Sequence, residues 1–335
     1  MKIGVFGAGA IGGVYGGLLA HAGEDVTFVA RGATLDALKR DGLKLVAGGT
    51  ETAIRAKAVA DPKAAGAQDA VILAVKAYSL PEAAGSLAPL LGRDTAVVMV
   101  QNGLPWWYFR GTGGALDGTR LKSVDADGKC AAALAAERCV GGAIYCPAEA
   151  IAPATIRHAP NPKIVMGEAV GPPGPRLANL AAAFARAGVT AEVTPDIRTE
   201  LWRKLLNLVG TVPVSVLTGA NAQPINRDEG TRKAMWRTTE EAIAVAAKVG
   251  VTLPAAALDR FLKPVEMPPN KVSTLQDLER ARPLEIDALL GVVAEIGRLV
   301  RVPTPALDTA YALCRMLAIE RKLYPPNPNF ALSYF

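Results

Sequence analysis

The first twelve residues constrain this chain more than any other stretch. An apolar run from Ile3 to Phe6 is typical of a short buried strand, and the residues from Ile11 to Ala22 are typical of a helix. Glycines stand at the three places where a dinucleotide turn needs them: one for the tight turn, one for close approach of a pyrophosphate and one for close helix packing. The predicted phosphate cradle is Gly7, Gly9, Ala10, Ile11 and Gly12. The alternative is a glycine-rich turn that is packed for steric reasons only.

The end of the second predicted strand indicates which cofactor the turn would hold. Asp25 to Ala30 is a strand-like run, and Arg31 follows it where NAD-binding folds carry an acidic residue. A carboxylate there binds the ribose hydroxyls of NAD, whereas an arginine pairs with the 2′-phosphate of NADP. The sequence therefore predicts NADP, unless Arg31 is simply a solvated arginine at a strand end.

Two later strands each deliver a polar side chain at their carboxyl ends. Asp69 to Val75 is an apolar run that ends in Lys76, and Thr95 to Val100 leads to Asn102. Ligands bind at this edge of open α/β sheets, so Lys76 and Asn102 are candidate contacts to the cofactor and the substrate. The simpler interpretations are a surface lysine and an ordinary Asn-Gly turn.

Composition limits the classes of function. The 335 residues suggest about two domains, and the net charge of +6 is scattered through a chain with only 5% aromatic residues. This pattern argues against a nucleic-acid groove and favours an anionic cofactor and a small anionic substrate. The 4 cysteines lack metal-ligand spacing, so we expect no metal and a cytoplasmic protein with reduced thiols. No apolar run reaches the roughly 18 residues of a membrane span.

The pattern of elements changes at Pro195-Asp196. Strands and helices alternate before this point, and only helical patterns follow it, over 197–218, 228–249, 255–263, 270–280, 283–300 and 304–322. The predicted fold is therefore α/β, with an N-terminal Rossmann-type dinucleotide-binding domain over 1–195 and an all-α C-terminal domain over 196–335. We expect the active site in the cleft between the two domains.

Two segments have no clear role from pattern alone. Trp106 to Phe109 places four aromatic residues in a long loop that either covers the site or fills a domain or subunit contact. The prolines after Tyr324 cannot continue a helix, so we expect this tail to lie along the surface. The aromatic loop and the apolar C-terminal helices permit a homodimer.

The helical half carries its own candidate site. Lys204, Asn207 and Thr211 share one helix face because they are spaced by three and four residues. Pro283 suits the first position of a helix, which would place Glu285 in the first helical turn. A carboxylate is favoured there by the helix dipole in any case, so Glu285 has a structural explanation as well.

Taken together, these motifs resemble the ketopantoate reductases, over nearly the whole chain. The resemblance is carried by the glycine turn, Val75-Lys76, Gln101-Asn102-Gly103, the run from Ile197 to Lys204 and the run from Ser273 to Asp287. It implies NADPH-dependent reduction of 2-dehydropantoate to pantoate in pantothenate synthesis. It also implies specific roles: Lys204 as general acid, Glu285 as catalytic or orienting carboxylate, Ser273 as a substrate contact, Lys76 and Asn102 as strand-end contacts, and Arg31 at the 2′-phosphate.

The chain departs from the family at one place that bears on the substrate. The family often has asparagines four and eight residues after the general acid, where this chain has Leu208 and Val212. Asn207 and Thr211 stand one residue earlier and could replace the usual pair. Three hypotheses remain: ketopantoate reduction, reduction of a different branched 2-ketoacid, and a non-catalytic NADPH sensor. The sensor is disfavoured because binding alone needs neither Lys204 nor Glu285.

Overall fold

The computed structural model describes residues 1–253 and 270–325, so the helix predicted over 255–263 lies outside the described residues. The chain forms two compact units. The first comprises Met1–Gln101, Pro105–Arg120 and Gly128–Ile197. The second comprises Asn102–Leu104, Leu121–Asp127 and the described residues from Arg198 onward. The sequence-based boundary of 195/196 falls two residues before the start of this last stretch, and two short pieces of the N-terminal half belong to the helical unit.

An eight-stranded sheet forms the centre of the first unit. Its strands, in spatial order, are β12 (Thr190–Val193), β11 (Lys163–Glu168), β8 (Cys139–Tyr145), β7 (Leu91–Met99), β6 (Gln68–Leu73), β1 (Lys2–Phe6), β2 (Asp25–Val29) and β5 (Lys57–Val59). The six strands from β8 to β5 are parallel to their neighbours, and β11 pairs antiparallel with β8. This order is that of a Rossmann-type sheet with two added strands, as the alternating pattern of the sequence predicts.

Five helices accompany this sheet: α1 (Ala10–His21), α2 (Gly32–Arg40), α3 (Leu80–Gly85), α4 (Lys129–Ala133) and α5 (Pro175–Arg186). The central strands contain apolar runs because both faces of the sheet are covered, and Val5, Ile72 and Val98 are buried. A smaller sheet contains β3 (Leu43–Ala47), β4 (Thr50–Ile54), β9 (Ala148–Ala152) and β10 (Thr155–His158), in the order β4-β3-β10-β9.

The aromatic loop is part of the core of the first unit. Trp106, Trp107, Tyr108 and Phe109 are all buried, with exposed fractions between 0% and 3%. The indole N–H of Trp107 points to the Met99 sulfur at 3.1 Å. The four side chains therefore pack inside the protein, and the two roles that the sequence left open for this loop stay predictions.

The described helices of the second unit are α6 (Ile197–Thr218), α7 (Ala222–Arg227), α8 (Glu229–Lys248), α9 (Ser273–Glu279), α10 (Val292–Leu299) and α11 (Pro305–Glu320). The 22-residue helix α6 matches the predicted span and continues through Pro213. The Val209 carbonyl, which loses its helical partner to Pro213, lies 3.5 Å from the Thr238 hydroxyl. Over residues 1–253 and 270–325, no helix is both long and apolar enough to cross a bilayer.

The helix predicted over 283–300 begins later than expected. Regular helix starts at Ile286 and passes through a π turn, Asp287–Gly291, before α10. Glu285 therefore precedes the helix, and the prediction that it lies in the first turn is wrong. The Leu284 amide here donates to the Leu323 carbonyl at 2.9 Å, a tertiary contact that the local sequence does not encode, although Pro283 suits a helix start.

Candidate active site

The glycine turn has the geometry of a phosphate cradle. A Cβ at Gly12 would lie 2.0 Å from the Gly7 carbonyl oxygen, so only glycine lets α1 pack this closely against the end of β1. A Cβ at Gly9 would meet no atom within 4 Å, so the space beside this residue is open. Gly9 is the N-cap of α1 and provides no side-chain cap, which leaves the first helical N–H groups of Ala10 and Ile11 for a ligand. These residues fit a dinucleotide pyrophosphate.

The cradle also lies at the correct place in the sheet. Strand β1 pairs with β2 on one side and with β6 on the other, and the strand order reverses direction at β1. In open α/β sheets, ligands bind outside the carboxyl ends of the strands at such a switch point. The glycine turn follows the carboxyl end of β1 directly.

Arg31 lies where the adenosine end of a dinucleotide is selected. It follows β2 after one residue and is the N-cap of α2, with an extended backbone. Its side chain is exposed and forms no ion pair with any residue in the described part of the chain. A free guanidinium at a helix N-terminus, with no carboxylate at the strand end, fits a 2′-phosphate.

Lys76 and Asn102 follow neighbouring parallel strands, as predicted. Leu73 of β6 pairs with Met99 of β7, and each polar residue stands three positions beyond its strand. The Gln101 side-chain amide donates to the Leu73 and Val75 carbonyls at 2.7 and 3.2 Å. Gln101 thus ties the two chain segments together directly before Lys76 and Asn102, a role that the sequence did not reveal. Its Oε1 atom is buried and has no hydrogen-bond partner among the described residues.

Gly103 explains why the strand-end asparagine belongs to the helical unit. It has a φ of +90°, and a Cβ there would lie 2.0 Å from the Ala288 carbonyl oxygen. Ala288 is the second residue of the π turn. The backbone at Asn102-Gly103 is thus in direct contact with the turn that follows Glu285, and any side chain at Gly103 would separate them.

In the helical unit, Lys204 is the central group. It stands in the second turn of α6, and its side chain is half-buried. Burial lowers the pKa of Lys204 to about 8, while the charges of Glu285 and Glu200 act in the opposite direction. Glu285 therefore lies near enough for its charge to act on Lys204. Glu285 is 5% exposed.

Glu200 is a second carboxylate at this site, and sequence reasoning assigned it no role. It is 7% exposed, and the Arg203 guanidinium donates to its Oε2 at 2.6 Å. The spacing of four residues between Glu200 and Lys204 could have revealed it, because side chains at this spacing meet on a helix. The ion pair with Arg203 partly neutralises Glu200, and Glu285 has the larger effect on the pKa of Lys204.

The face of α6 that carries Lys204 also presents the two predicted substrate contacts. At about 100° per residue, Thr211 lies roughly 20° from the line of Lys204, and Asn207 roughly 60° to the same side. Both are half-buried, as is Leu208 on the other side of that line, whereas Val212 is only 1% exposed. The Thr211 hydroxyl donates to the Asn207 carbonyl. Its oxygen can therefore only accept a further hydrogen bond.

Ser273 is the predicted contact for which the structure gives the least support. It is exposed at the first residue of α9, and its hydroxyl makes no hydrogen bond to another described residue. Its position is open to a ligand, but no described contact connects it with Lys204 or Glu285.

The chain combines a Rossmann-type dinucleotide unit with a helical unit in which carboxylates act on a lysine of lowered pKa. These features are typical of a nicotinamide-dependent oxidoreductase. Comparison with known proteins gives the family. Residues 3–171 match the model of the family described as ketopantoate reductase PanE/ApbA, and residues 196–318 match the model of its C-terminal domain.

Three relatives illustrate the similarity. The 2-dehydropantoate 2-reductase of Mesorhizobium japonicum is 45% identical and covers 97% of this chain and 100% of its own. A Ralstonia solanacearum protein assigned to the ketopantoate reductases has a crystal structure with a TM-score of 0.91 at 40% identity, covering 96% of this chain and 99% of that one. A PanE/ApbA family ketopantoate reductase of Ralstonia eutropha has a TM-score of 0.82 at 30% identity, covering 96% and 100%.

This chain therefore belongs to the ketopantoate reductase family and is an NADP-dependent oxidoreductase. The family assignment confirms the predicted fold class, with its Rossmann-type unit and its helical unit. It also excludes the sensor hypothesis, which belonged to a different class of protein.

Proposed function

We propose that this chain reduces 2-dehydropantoate to pantoate with NADPH, a step of pantothenate synthesis, with Lys204 as the general acid. The observation that carries the proposal is the lowered pKa of Lys204, about 8, beside Glu285 in a chain of this family. A proton donor works best when its pKa lies near the working pH. Relatives that cover nearly the whole chain are named 2-dehydropantoate 2-reductase, which supports this substrate.

Each proposed role follows from residue chemistry. The bound cofactor supplies the hydride. The open backbone at Gly9 and the N–H groups of α1 hold the pyrophosphate, and the Arg31 guanidinium holds the 2′-phosphate. The Lys204 ammonium stabilises the charge that grows on the ketone oxygen and then donates a proton to it. Glu285 orients Lys204 or the substrate hydroxyl.

The remaining residues bind and orient the substrate. The Lys76 ammonium can pair with the carboxylate of a 2-ketoacid, and the Asn102 amide can bind either the nicotinamide or the substrate. The Thr211 hydroxyl donates its proton to the Asn207 carbonyl, so its oxygen can accept a hydrogen bond from the substrate. The hydroxyl group of 2-dehydropantoate is a suitable donor for it. Ser273 is retained as a substrate contact because its hydroxyl is exposed and unused.

The experiment that tests this function follows NADPH absorbance with 2-dehydropantoate and with a panel of 2-ketoacids that have branched apolar side chains. A kcat/KM that is highest for 2-dehydropantoate supports the proposal. Absence of turnover with every 2-ketoacid overturns it.

One observation favours a second candidate, the reduction of a different branched 2-ketoacid. Leu208 and Val212 replace the amides that the family often has on this helix, and Val212 is buried, so neither offers a hydrogen bond. An apolar substrate side chain would fit Leu208 better than a hydroxymethyl group does. In the same assay, a kcat/KM higher for an apolar 2-ketoacid than for 2-dehydropantoate would establish this candidate.

We also propose a homodimer in the cytoplasm. Leu313, Met316 and Ile319 lie on one face of α11, with exposed fractions of 53%, 55% and 38%. An apolar stripe of this kind is commonly covered by another subunit. Light scattering of the wild type and of Met316→Glu tests this, since the charge should convert a dimer to a monomer. The reducing compartment is supported by four cysteines that are all buried as free thiols.

A further inference from the structure

Two consecutive residues near the end of the described chain bind the segment that carries Glu285. The Leu323 carbonyl accepts a hydrogen bond from the Leu284 amide at 2.9 Å. The Tyr324 hydroxyl donates to both carboxylate oxygens of Asp287 at 2.9 Å. Glu285 is therefore held on both sides, one residue before and two residues after its own position.

The chain returns to this place through a specific turn at the end of α11. The Lys322 amide donates to the Ile319 carbonyl at 2.9 Å, and the Leu323 amide donates to the Ala318 carbonyl at 2.7 Å. Lys322 adopts a left-handed φ of +57°, which is unfavourable for a residue with a side chain. The pattern ends the helix and reverses the chain. Leu323 and Pro325 are buried and Tyr324 is half-buried, so the first residues of the predicted surface tail are not exposed. The rest of that tail, from residue 326 onward, lies outside the described residues.

Asp287 is the junction of a small polar cluster. Tyr311 of α11 also donates its hydroxyl to Asp287, at 2.8 Å, and the Arg315 guanidinium lies 5.3 Å from the centre of the Tyr324 ring. Burial, together with the charge of Asp287, raises the pKa of Tyr324 to about 12 and raises that of Tyr311 further. Both phenols therefore remain proton donors over the whole range in which an enzyme of this kind works.

The backbone at this place needs such anchors. Asp287 is the first residue of the π turn, a form of helix that is rare and is frequently found at functional sites. The next residue, Ala288, has its carbonyl against Gly103, which continues from Asn102. The position of this turn thus sets where Glu285 stands on one side and where the strand-end asparagine stands on the other.

We infer that Asp287, Tyr311 and Tyr324 form a positioning cluster that fixes Glu285 beside Lys204, so that the segment after α11 is part of the active-site machinery. The inference rests on the proposed role of Glu285. The three residues touch neither substrate nor cofactor in this proposal. They act by holding the backbone on both sides of the carboxylate, and displacement of a catalytic group by about 1 Å can cost roughly 100-fold in rate.

The test uses Tyr311→Phe, Tyr324→Phe and the double variant, which keep the aromatic rings and remove only the hydrogen bonds to Asp287. The matched control is Tyr15→Phe in the first unit, because the buried Tyr15 hydroxyl donates to the Lys163 carbonyl at 2.8 Å. Each of the three single variants loses one hydrogen-bonded phenol hydroxyl, so comparable losses of thermal stability are expected for them and a roughly additive loss for the double variant. We expect kcat of the double variant to fall about 10-fold, with the KM for NADPH unchanged and with Tyr15→Phe at the wild-type rate.

A second readout does not require turnover. The charged groups that act on Lys204 are Glu285 and, from its own helix, Glu200, and both raise its pKa. If the cluster positions Glu285, its loss lets this carboxylate move away, so the Lys204 pKa measured by NMR on methyl-labelled lysines should fall in the double variant. Tyr15→Phe should leave that pKa unchanged.

The outcomes separate the two proposals. The positioning cluster alone would be overturned by the following combination. The wild type turns over its ketoacid and Glu285→Gln is slow, but the double tyrosine variant keeps both its kcat and its Lys204 pKa. A wild type without ketoacid turnover would overturn the proposed function, and the Lys204 titration would then still decide whether the cluster holds Glu285. A fall of the Lys204 pKa in the double variant, with an unchanged Lys204 pKa and a comparable loss of thermal stability in Tyr15→Phe, supports the inference in either case.

Discussion

In the first unit the predicted cofactor residues lie shortly after a strand end, whereas in the helical unit Lys204 lies far in sequence from the segment that carries Glu285 and Asp287. The glycine turn and Arg31 are positioned by backbone that is local to them. Glu285 is positioned by the Leu284 amide and the Asp287 side chain, both bound to residues beyond α11. A sequence motif encodes local backbone but not tertiary anchoring, so sequence alone describes the predicted cofactor residues of the first unit better than the residues around Glu285.

Replacement of Lys204 is expected to have the largest effect, which should fall on the catalytic rate and leave NADPH binding unchanged. Lys204→Ala removes the proposed proton donor, so we expect kcat to fall at least ~100-fold while the NADPH dissociation constant stays the same. Fluorescence titration and steady-state rates check the two parts. Lys248→Ala, an exposed lysine at the end of α8, is the control and should behave as the wild type. A rate within the normal range would remove Lys204 from the mechanism.

The accuracy of the sequence-based predictions differs between the two units in the same way. The strand and helix order of the first unit, the glycine turn and the positions of Arg31, Lys76 and Asn102 at strand ends agree with the structure, because hydrophobic period and turn residues encode them locally. Strand β9 was missed because its residues, Ala148–Ala152, have no alternating burial.

In the helical unit the sequence predicted one helix span correctly and one helix start incorrectly, and it did not reveal the residues that hold the segment around Glu285. The span of α6 was correct, since its caps and period are local. The start of the helix after Pro283 was wrong, because a contact with Leu323 decides it. Asp287, Tyr311 and Tyr324 carry no spacing that would group them. Only the fold shows that they share hydrogen bonds.

Two glycines, one in each unit, allow a Cβ to be placed against a backbone carbonyl oxygen. Gly12→Ala and Gly103→Ala both place a Cβ 2.0 Å from a backbone carbonyl oxygen, that of Gly7 and that of Ala288. Overpacking of this kind costs about 1–3 kcal/mol, which corresponds to a factor of roughly 5 to 150. We expect Gly12→Ala to raise the KM for NADPH, and Gly103→Ala, by moving the π turn, to lower kcat.

The control for this pair is Gly174→Ala, since a Cβ at Gly174 meets nothing within 4 Å and its φ is negative. It should change neither constant. Equal effects of Gly12→Ala and Gly103→Ala on the same constant would contradict the division of labour between the two units.

Arg31 tests the cofactor side alone. Arg31→Asp removes a charge-assisted hydrogen bond of about 1.5–3 kcal/mol to the 2′-phosphate and adds a carboxylate that suits NAD. The ratio of kcat/KM for NADPH to that for NADH should therefore fall roughly 10- to 100-fold. Lys39→Asp, which makes the same charge change on the exposed end of α2, should leave the ratio as it is. An unchanged ratio in Arg31→Asp would mean that another residue reads the phosphate.

The pH profile tests the helical side. Ketone reduction needs the charged form of Lys204, which is lost as pH rises through the pKa of about 8, so kcat for reduction should decline above that pH. Oxidation of the hydroxyacid needs the neutral amine and should decline below it. Glu285→Gln removes a charge that raises the pKa, so both limbs should move to lower pH, by up to about one unit, or tenfold in rate at a fixed alkaline pH. Limbs that stay in place would show that Glu285 does not act on Lys204.

The smallest expected effect concerns the substrate and separates the two candidate functions. Thr211→Val keeps the shape of the side chain and removes the oxygen that would accept a hydrogen bond from the hydroxyl of 2-dehydropantoate. The loss of one hydrogen bond of about 1 kcal/mol should raise the KM for 2-dehydropantoate about 5-fold and leave that for apolar 2-ketoacids unchanged.

Thr309→Val is the matched control for this change, because Thr309 makes the same hydroxyl-to-carbonyl bond, to Pro305 at 2.8 Å, on the exposed side of α11. It should alter neither KM. If Thr211→Val raises the KM for both classes of ketoacid equally, the residue acts through the shape of α6, and the substrate hydroxyl is not bound there. In that case Leu208 and Val212 describe the pocket better, and an apolar ketoacid becomes the preferred substrate.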